Sequence, residues 1–231
     1  MHTKKRKNIV FLTGAGMSAE SGIKTFRDAD GLWEGHDIYE VASPAGFEKN
    51  PALVLDFYNQ RRQQLFEVDP NKGHLAIADL ESDFDVEIIT QNVDDLHERA
   101  GSSSVLHLHG ELRKIRSVGN PNYIKNWEKP LHLGDLCPEG HQLRPHIVWF
   151  GEAVPNMDKA EKLVEKADIL VVLGTSLEVY PAASLIHFAP QTASVFIIDP
   201  YRHSELKSDR IRVISKGASE GMEELVGILR L

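Results

Sequence analysis

The chain has 231 residues, 42% hydrophobic and 26% charged, which suits a globular protein with one sizeable core and excludes a disordered or fibrous chain. Its single cysteine excludes an internal disulfide framework and fits a reducing, cytoplasmic setting. The net charge of -8 argues against a nucleic-acid surface. No apolar run reaches the ~20 residues of a membrane span, and the basic opening MHTKKRKN leads straight into an apolar run, so neither a membrane partner nor a signal peptide is expected.

Ile9, Val10, Phe11 and Leu12 have the length of a buried strand. The run stops at Gly14, Ala15 and Gly16, and a helix is expected from Met17. Strand, glycine turn, helix is the context in which G-x-G-x-x-G/A binds a dinucleotide pyrophosphate; here the pattern is Gly14, Gly16, Ala19. The first glycine permits the turn, the second lets backbone approach phosphate, and the small third residue lets helix and strand pack closely. Helix N-terminal amides would face the anion. A dehydrogenase would also place an acid at the end of a strand about 20 residues on. Residues 21–28 are instead small and turn-prone, so an ordinary dehydrogenase fits poorly.

Ser43-Pro44 and Asn50-Pro51 have the form of helix starts, with proline in the first helical position. Residues 52–67 carry a helical stripe of Leu53, Val54, Phe57, Tyr58, Leu65 and Phe66. Tyr58 and Arg61 share one face of that helix, either as an exposed Arg beside a half-buried Tyr or as a polar pair aimed into a pocket. A helix over 74–81 precedes a buried strand, 86–90, that ends in Gln91-Asn92-Val93-Asp94-Asp95. Polar side chains at a strand's carboxyl end sit where open α/β sheets bind ligands. The bland reading of Asp94 or Asp95 is a helix cap.

In Val105-Leu106-His107-Leu108-His109-Gly110, alternation puts both histidines on one face. A histidine ending a strand beside a glycine is a general-base candidate, against the structural role such a residue more often has. No carboxylate stands at metal-ligand spacing beside the pair. Residues 113–145 read as a loop-rich excursion. A short strand and turn over 147–152 and a helix over 157–167 follow, then a buried strand from Asp168 that ends in Gly174-Thr175-Ser176. A helix over 182–188, strands over 194–198 and 211–214, and a helical tail complete an α/β chain with a doubly wound parallel sheet.

GAGMSAESGIKTFRD (14–28), TQNVDDLHERAG (90–101), LHLHGEL (106–112), LRPHIVWFGEAVP (143–155) and GTSLEVYPAA (174–183) resemble, in order, the motifs of the sirtuins, NAD-dependent protein-lysine deacylases. The resemblance implies a Rossmann-like NAD-binding domain from 1–33, 82–112 and 145–231, a helical insertion at 34–81, and a reduced zinc-module-like insertion at 113–144. It is closest to the bacterial and desuccinylase-type class, whose Tyr-x-x-Arg is matched by Tyr58 and Arg61 and whose small pocket residue is matched by Ala42. Arg offers a planar fork to a carboxylate and Tyr a further hydroxyl, so succinyl or malonyl would gain over acetyl.

By motif match, Gly14, Ala15, Gly16, Ala19 and Arg27 would hold the pyrophosphate and close over the ribose, and Phe26 would shield the reacting carbon. Gln91, Asn92, Val93 and Asp94 would orient ribose and nicotinamide. Gly174, Thr175, Ser176 and Ala218 would take the adenosine side. Val148, Phe150, Gly151 and Glu152, with Leu177 and Tyr180, would flank a substrate peptide as edge strands. The implied reaction joins the acyl oxygen to the ribose carbon as nicotinamide leaves. His109 then removes a proton from a ribose hydroxyl, and Asn92 assists. Partners would be acyl-lysine proteins, met by a monomer. Mono-ADP-ribosyl transfer, or a non-catalytic NAD or ADP-ribose binding module, are the alternatives.

Most sirtuins hold a structural zinc in two Cys-x-x-Cys pairs. Here only Cys137 remains, flanked by His132 and His141, which do not complete a tetrahedral site, so no zinc is expected. Ile197 stands where the family usually has an Asn against the adenosine ribose; Asp199 is a possible substitute.

Overall fold

The computed structural model describes residues 6–24, 32–33, 35–175, 177, 179–201 and 210–231. Three expected site residues, Phe26, Arg27 and Ser176, lie outside them.

Six parallel strands form the central sheet: β1 (Asn8–Thr13), β4 (Asp85–Thr90), β5 (Val105–His107), β9 (Ile169–Leu173), β10 (Ser194–Ile198) and β11 (Ile211–Ile214), in the order β11-β10-β9-β1-β4-β5. From β1 the chain moves to one side for β4 and β5, then returns to the other side for β9. That reversal beside β1 is a topological switch point, where open sheets leave a crevice outside their carboxyl ends. Register sharpens the placement. His107, Thr90, Thr13, Leu173, Ile198 and Ile214 pair in one row across the sheet, and each is the last residue of its strand. The loops after all six strands therefore start from one line.

Both faces of β1 are buried, which is why its sequence is continuously apolar. Ile9 and Phe11 face a cluster closed by helices α4 (Lys72–Asp79) and α7 (Ala218–Leu229). Val10 and Leu12 face a second cluster, closed by α6 (Met157–Val164) and the 3-10 helix Ala182–Phe188. Each fully buried side chain of this kind contributes about 1.5–3 kcal/mol.

A two-stranded ribbon, β2 (Leu32–Trp33) and β3 (His36–Asp37), leads into the helical insertion, which runs through α1 (Ile38–Val41), α2 (Pro44–Lys49) and α3 (Pro51–Gln64). The expected caps form. Ser43 Oγ accepts from Gly46 N at 2.9 Å, and Asn50 Oδ1 accepts from Leu53 N at 3.2 Å. Helix α4 starts at Lys72, two residues before its expected start, because Asn71 and His74 make a reciprocal capping box. A short helix, α5 (Leu96–Arg99), follows the loop after β4.

Four expectations need correction. The helix after the glycine turn is two 3-10 turns, Ala15–Met17 and Ala19–Ser21, the second closed by Gly22 at φ 96. The chain is too tightly turned there for a helix terminus to present a row of amides. The helix at Ala182–Phe188 is likewise 3-10. The excursion over 113–145 is not loop-rich: β6 (Gly110–Ser117), β7 (Ile124–Asn126) and β8 (Leu143–Ile147) form an antiparallel sheet in the order β7-β6-β8. A register shift between Glu111 and Ile115 breaks the two-residue alternation that would have revealed β6. Strands β6 and β8 also run across the expected boundaries at 112/113 and 144/145. Finally, residues 150–152 and the described residues of 177–180 are turns and bends, and Val148 and Trp149 lie in no strand of the chain by itself.

In the small sheet's core Cys137 packs with Leu55, Ile115, Leu131 and Leu143. Gln142 ties its loops. Its Oε1 accepts from Gly134 N at 2.9 Å, and its Nε2 faces the carbonyls of His132, Asp135 and Leu143 at 3.0, 3.2 and 2.9 Å. Among the described residues no three His, Cys, Asp or Glu gather as a metal-binding group.

Candidate active site

The glycine turn is built by backbone packing across the switch point. Gly14 N donates to Leu173 O at 3.0 Å, and Gly16 N donates to Gly174 O at 2.8 Å. A Cβ on Gly16 would lie 2.7 Å from Gly174 Cα, and one on Gly174 would lie 2.3 Å from Met17 N. Gly174 also sits at φ 64, where a side chain is strained. The two glycine turns thus interlock, and this contact alone requires Gly16. Beside them Gln91 Nε2 donates to Thr175 Oγ1 at 3.1 Å, linking the β4 and β9 loops.

A buried polar chain runs under the crevice. Asn92 Nδ2 donates to Ser18 Oγ at 3.1 Å, and Ser18 donates to Asp94 Oδ2 at 2.9 Å. Burial pushes the Asp94 carboxyl up, against the bonds from Leu96 N and Ser18. Asn92 N donates to Thr90 Oγ1, which also accepts from Thr13 Oγ1. Thr13 has spent its only proton, so His97 Nε2, 3.1 Å away, must donate to it. Ser18 and these threonines were not singled out from sequence. A small hydroxyl inside a glycine turn was the available signal.

His109 stands at the mouth. Its Nδ1 lies 3.1 Å from Gln91 O. A carbonyl only accepts, so Nδ1 carries the proton and Nε2 keeps a lone pair. Burial pushes its pKa down, opposed by the Gln91 bond. The ring is neutral near pH 7, the state a general base needs.

The donors and acceptors of Gln91, Asn92, Ser18, Thr175 and His109 suit sugar hydroxyls and a carboxamide. They line the crest of the sheet at the place where a dinucleotide would lie.

The Sir2 family profile matches residues 14–181. The chain belongs to the Sir2 family. An NAD-dependent protein deacylase of Helicobacter pylori is 60% identical over 220 residues, covering 95% of this Sir2 chain and 96% of that protein. A solved structure described as a Sir2 homolog–NAD complex aligns at TM-score 0.86 and 43% identity, covering 98% of this chain and 90% of that one. Sir2Tm bound to a propionylated peptide aligns at TM-score 0.78 and 28% identity, over 98% and 94%.

In this Sir2 chain the 148–152 turn links the His109 strand end to the helical insertion. Val148 N donates to His109 O, and Phe150 N donates to Ala42 O, both at 2.9 Å. The 148–152 turn thus joins the base to α1. Tyr58 is fully buried on α3, and its hydroxyl accepts from Trp149 Nε1 at 3.0 Å. Burial raises its pKa well above the ordinary phenol range. Arg61 stacks on Phe57 at 5.0 Å, and its Nε and Nη1 are buried with no hydrogen-bond partner among the described residues. Neither of the two readings left open for this pair describes it fully: the Tyr is entirely buried, and the Arg is partly buried with unmatched donors.

The structure spreads the remaining expected residues unevenly. Ala15 and Ala19 flank Gly16 in the 3-10 turns. Val93 packs beside the cluster around Tyr58, and its carbonyl accepts from Leu112 N at 2.8 Å. Ala218 is buried in the α4–α7 core cluster. Gly151 has φ 91, and Leu177 has φ 59. Tyr180 is exposed. The Glu152 carboxylate is fully engaged: it accepts from Arg144 at 2.7 Å, from Arg116 at 2.9 Å and from Trp149 N at 2.8 Å. Its side chain therefore braces Trp149.

Proposed function

We propose that this Sir2-family chain is an NAD-dependent protein-lysine deacylase whose pocket favours acyl groups ending in a carboxylate, succinyl or malonyl, over acetyl. The deacylase reading rests on family membership and on the neutral His109 beside Asn92. The acyl preference rests on one observation, the buried and unpartnered Nε–H and Nη1–H of Arg61 one helical turn from Tyr58. Unmet buried donors are costly, and a hydrogen bond to a charged group is worth about 1.5–3 kcal/mol. An acyl carboxylate would satisfy them in two parallel bonds; acetyl would leave them bare.

Bound NAD would supply an electrophilic ribose carbon and nicotinamide as leaving group. The residues do the rest. Gly14, Gly16 and Thr175 form the crest along which the pyrophosphate and adenosine side would run. Gln91 and Asn92 orient the ribose and carboxamide, and Ser18 and Asp94 hold the Asn92 amide. His109 Nε2 accepts the proton of a ribose hydroxyl. Ala42 and the 148–152 turn exclude water from the acyl-lysine.

Incubation with labelled NAD and a succinyl-lysine peptide tests the activity. Label in O-succinyl-ADP-ribose is expected; label left on protein would favour mono-ADP-ribosyl transfer instead. The small sheet, on the same reading, needs no zinc, because Cys137 packs in an apolar cluster and Gln142 ties its loops. One equivalent of zinc in purified protein would contradict that.

A further inference from the structure

His107 sits two residues from the base, is 8% exposed, and has no part in the reaction outlined above. Its two ring nitrogens both face groups that only accept. Nδ1 is 2.9 Å from Asn92 O, and Nε2 is 2.8 Å from Glu98 Oε1. A neutral imidazole has one N–H, and satisfying a carbonyl and a carboxylate together requires two. The His-x-His motif therefore grips consecutive carbonyls of one loop: His109 holds Gln91 O and His107 holds Asn92 O.

We propose that His107, kept as an imidazolium by Glu98, is a positioning residue that fixes the Asn92 loop for the reaction and sets its alkaline limit. This rests on the reading that Asn92 and His109 act on a bound ribose. The surroundings favour the cation. Glu98 on α5 and Glu111 on β6 supply negative charge, and Lys114 pairs with Glu111 at 2.6 Å. Asp94 is shifted toward its neutral form. Burial drives His97 on α5 well below its ordinary value, and it lowers His146 on β8, so neither is a competing cation near pH 7. Burial alone would lower His107 too, but the Glu98 bond and charge and the Asn92 carbonyl outweigh it, and its pKa is raised. Two histidines two residues apart thus hold different charge states near neutral pH, the pattern that separates roles in an active site.

When His107 loses a proton, the one that remains stays on Nε2 toward the Glu98 carboxylate, the stronger acceptor, and a lone pair faces Asn92 O. The carbonyl is then released, and with it the residue whose amide reaches Ser18. Turnover falls on the alkaline side for that reason. On the acid side it falls as His109 is protonated.

Imidazole NMR of the wild-type chain without ligand tests the charge state. Both ring protons on His107 at pH 7.5, with His109 neutral, are expected. A single proton on His107, or titration below the ordinary histidine value, overturns the proposal whether or not the deacylase reading holds. The pH dependence of nicotinamide release from NAD tests the consequence. Glu98→Gln should move the alkaline limb to lower pH. His107→Gln should abolish that limb and lower kcat about tenfold to a hundredfold with little change in the KM for peptide. An alkaline limb unmoved in Glu98→Gln refutes the role. A wild type that releases nicotinamide but deacylates no acyl-lysine peptide refutes the function reading instead.

Discussion

On the proposed reading, His109 and Arg61 serve the reaction by opposite means. His109 is useful because one ring nitrogen is occupied, by Gln91 O at 3.1 Å, and the other is not. Arg61 is useful because its Nε and Nη1 donors are not matched among the described residues. His109→Ala should lower turnover about a hundredfold to ten-thousandfold, the range of general acid–base catalysis, while NAD binding measured by calorimetry persists. Full activity in that variant would remove the base from the account. His109, Gln91 and Asn92 were legible because polar side chains directly after an apolar strand have few structural reasons to be there. The contacts of Trp149 and Glu152 were not legible. Trp149 meets Tyr58 across 91 residues, and Glu152 meets Arg116 across 36. No local pattern encodes such pairings.

Helices α4 and α5 bring a second pair of histidines together below the crevice. The His74 and His97 rings are 4.9 Å apart, edge to face. Burial lowers His74 to about 4, with Glu20 and Glu98 opposing it, from an ordinary 6.5. His97 is driven well below its ordinary value by burial, then by the charges of His74 and His107. Folded-state values below the unfolded ones mean that the unfolded chain binds more protons between pH 6.5 and 4. Stability is therefore fully present above pH 6.5 and is lost as pH falls through that window. From pH 7 to pH 5 His74 alone accounts for about 2 kcal/mol. His107 has the opposite sign: its raised value adds stability below pH 6.5 that is lost as pH climbs through the folded value. Urea unfolding at pH 7 and pH 5 with a constant m-value should show the acid loss, and an unchanged midpoint would contradict it. At this scale apolar runs and caps were readable: Ser194–Ile198 and Ile211–Ile214 fall on their expected residues. The 3-10 turns were not, because packing of Gly16 on Gly174 decides their geometry. Strand β6 was hidden by its bulge and by Glu111, Arg113, Lys114 and Arg116.

The whole molecule is a sheet whose six strands stop on one line, with a helical insertion and a small antiparallel sheet beside it. Alternating strands and helices were enough to expect the parallel sheet, and the ordered motifs were enough to expect the family. Strand order and the line of strand ends come from pairing, which a single sequence does not display. That line puts the glycine turns, the Asn92 loop and His109 along one crest. The insertion meets the 148–152 turn through Tyr58, which accepts from Trp149.

The ratio of kcat/KM for succinyl- over acetyl-lysine peptide, compared between the wild type and Arg61→Met, decides whether Arg61 reads the acyl group. The ratio should favour succinyl in the wild type and fall about tenfold to a hundredfold in the variant, as expected for loss of hydrogen bonds to a charged group. Equal losses on both peptides would show that Arg61 serves the fold and not the acyl group.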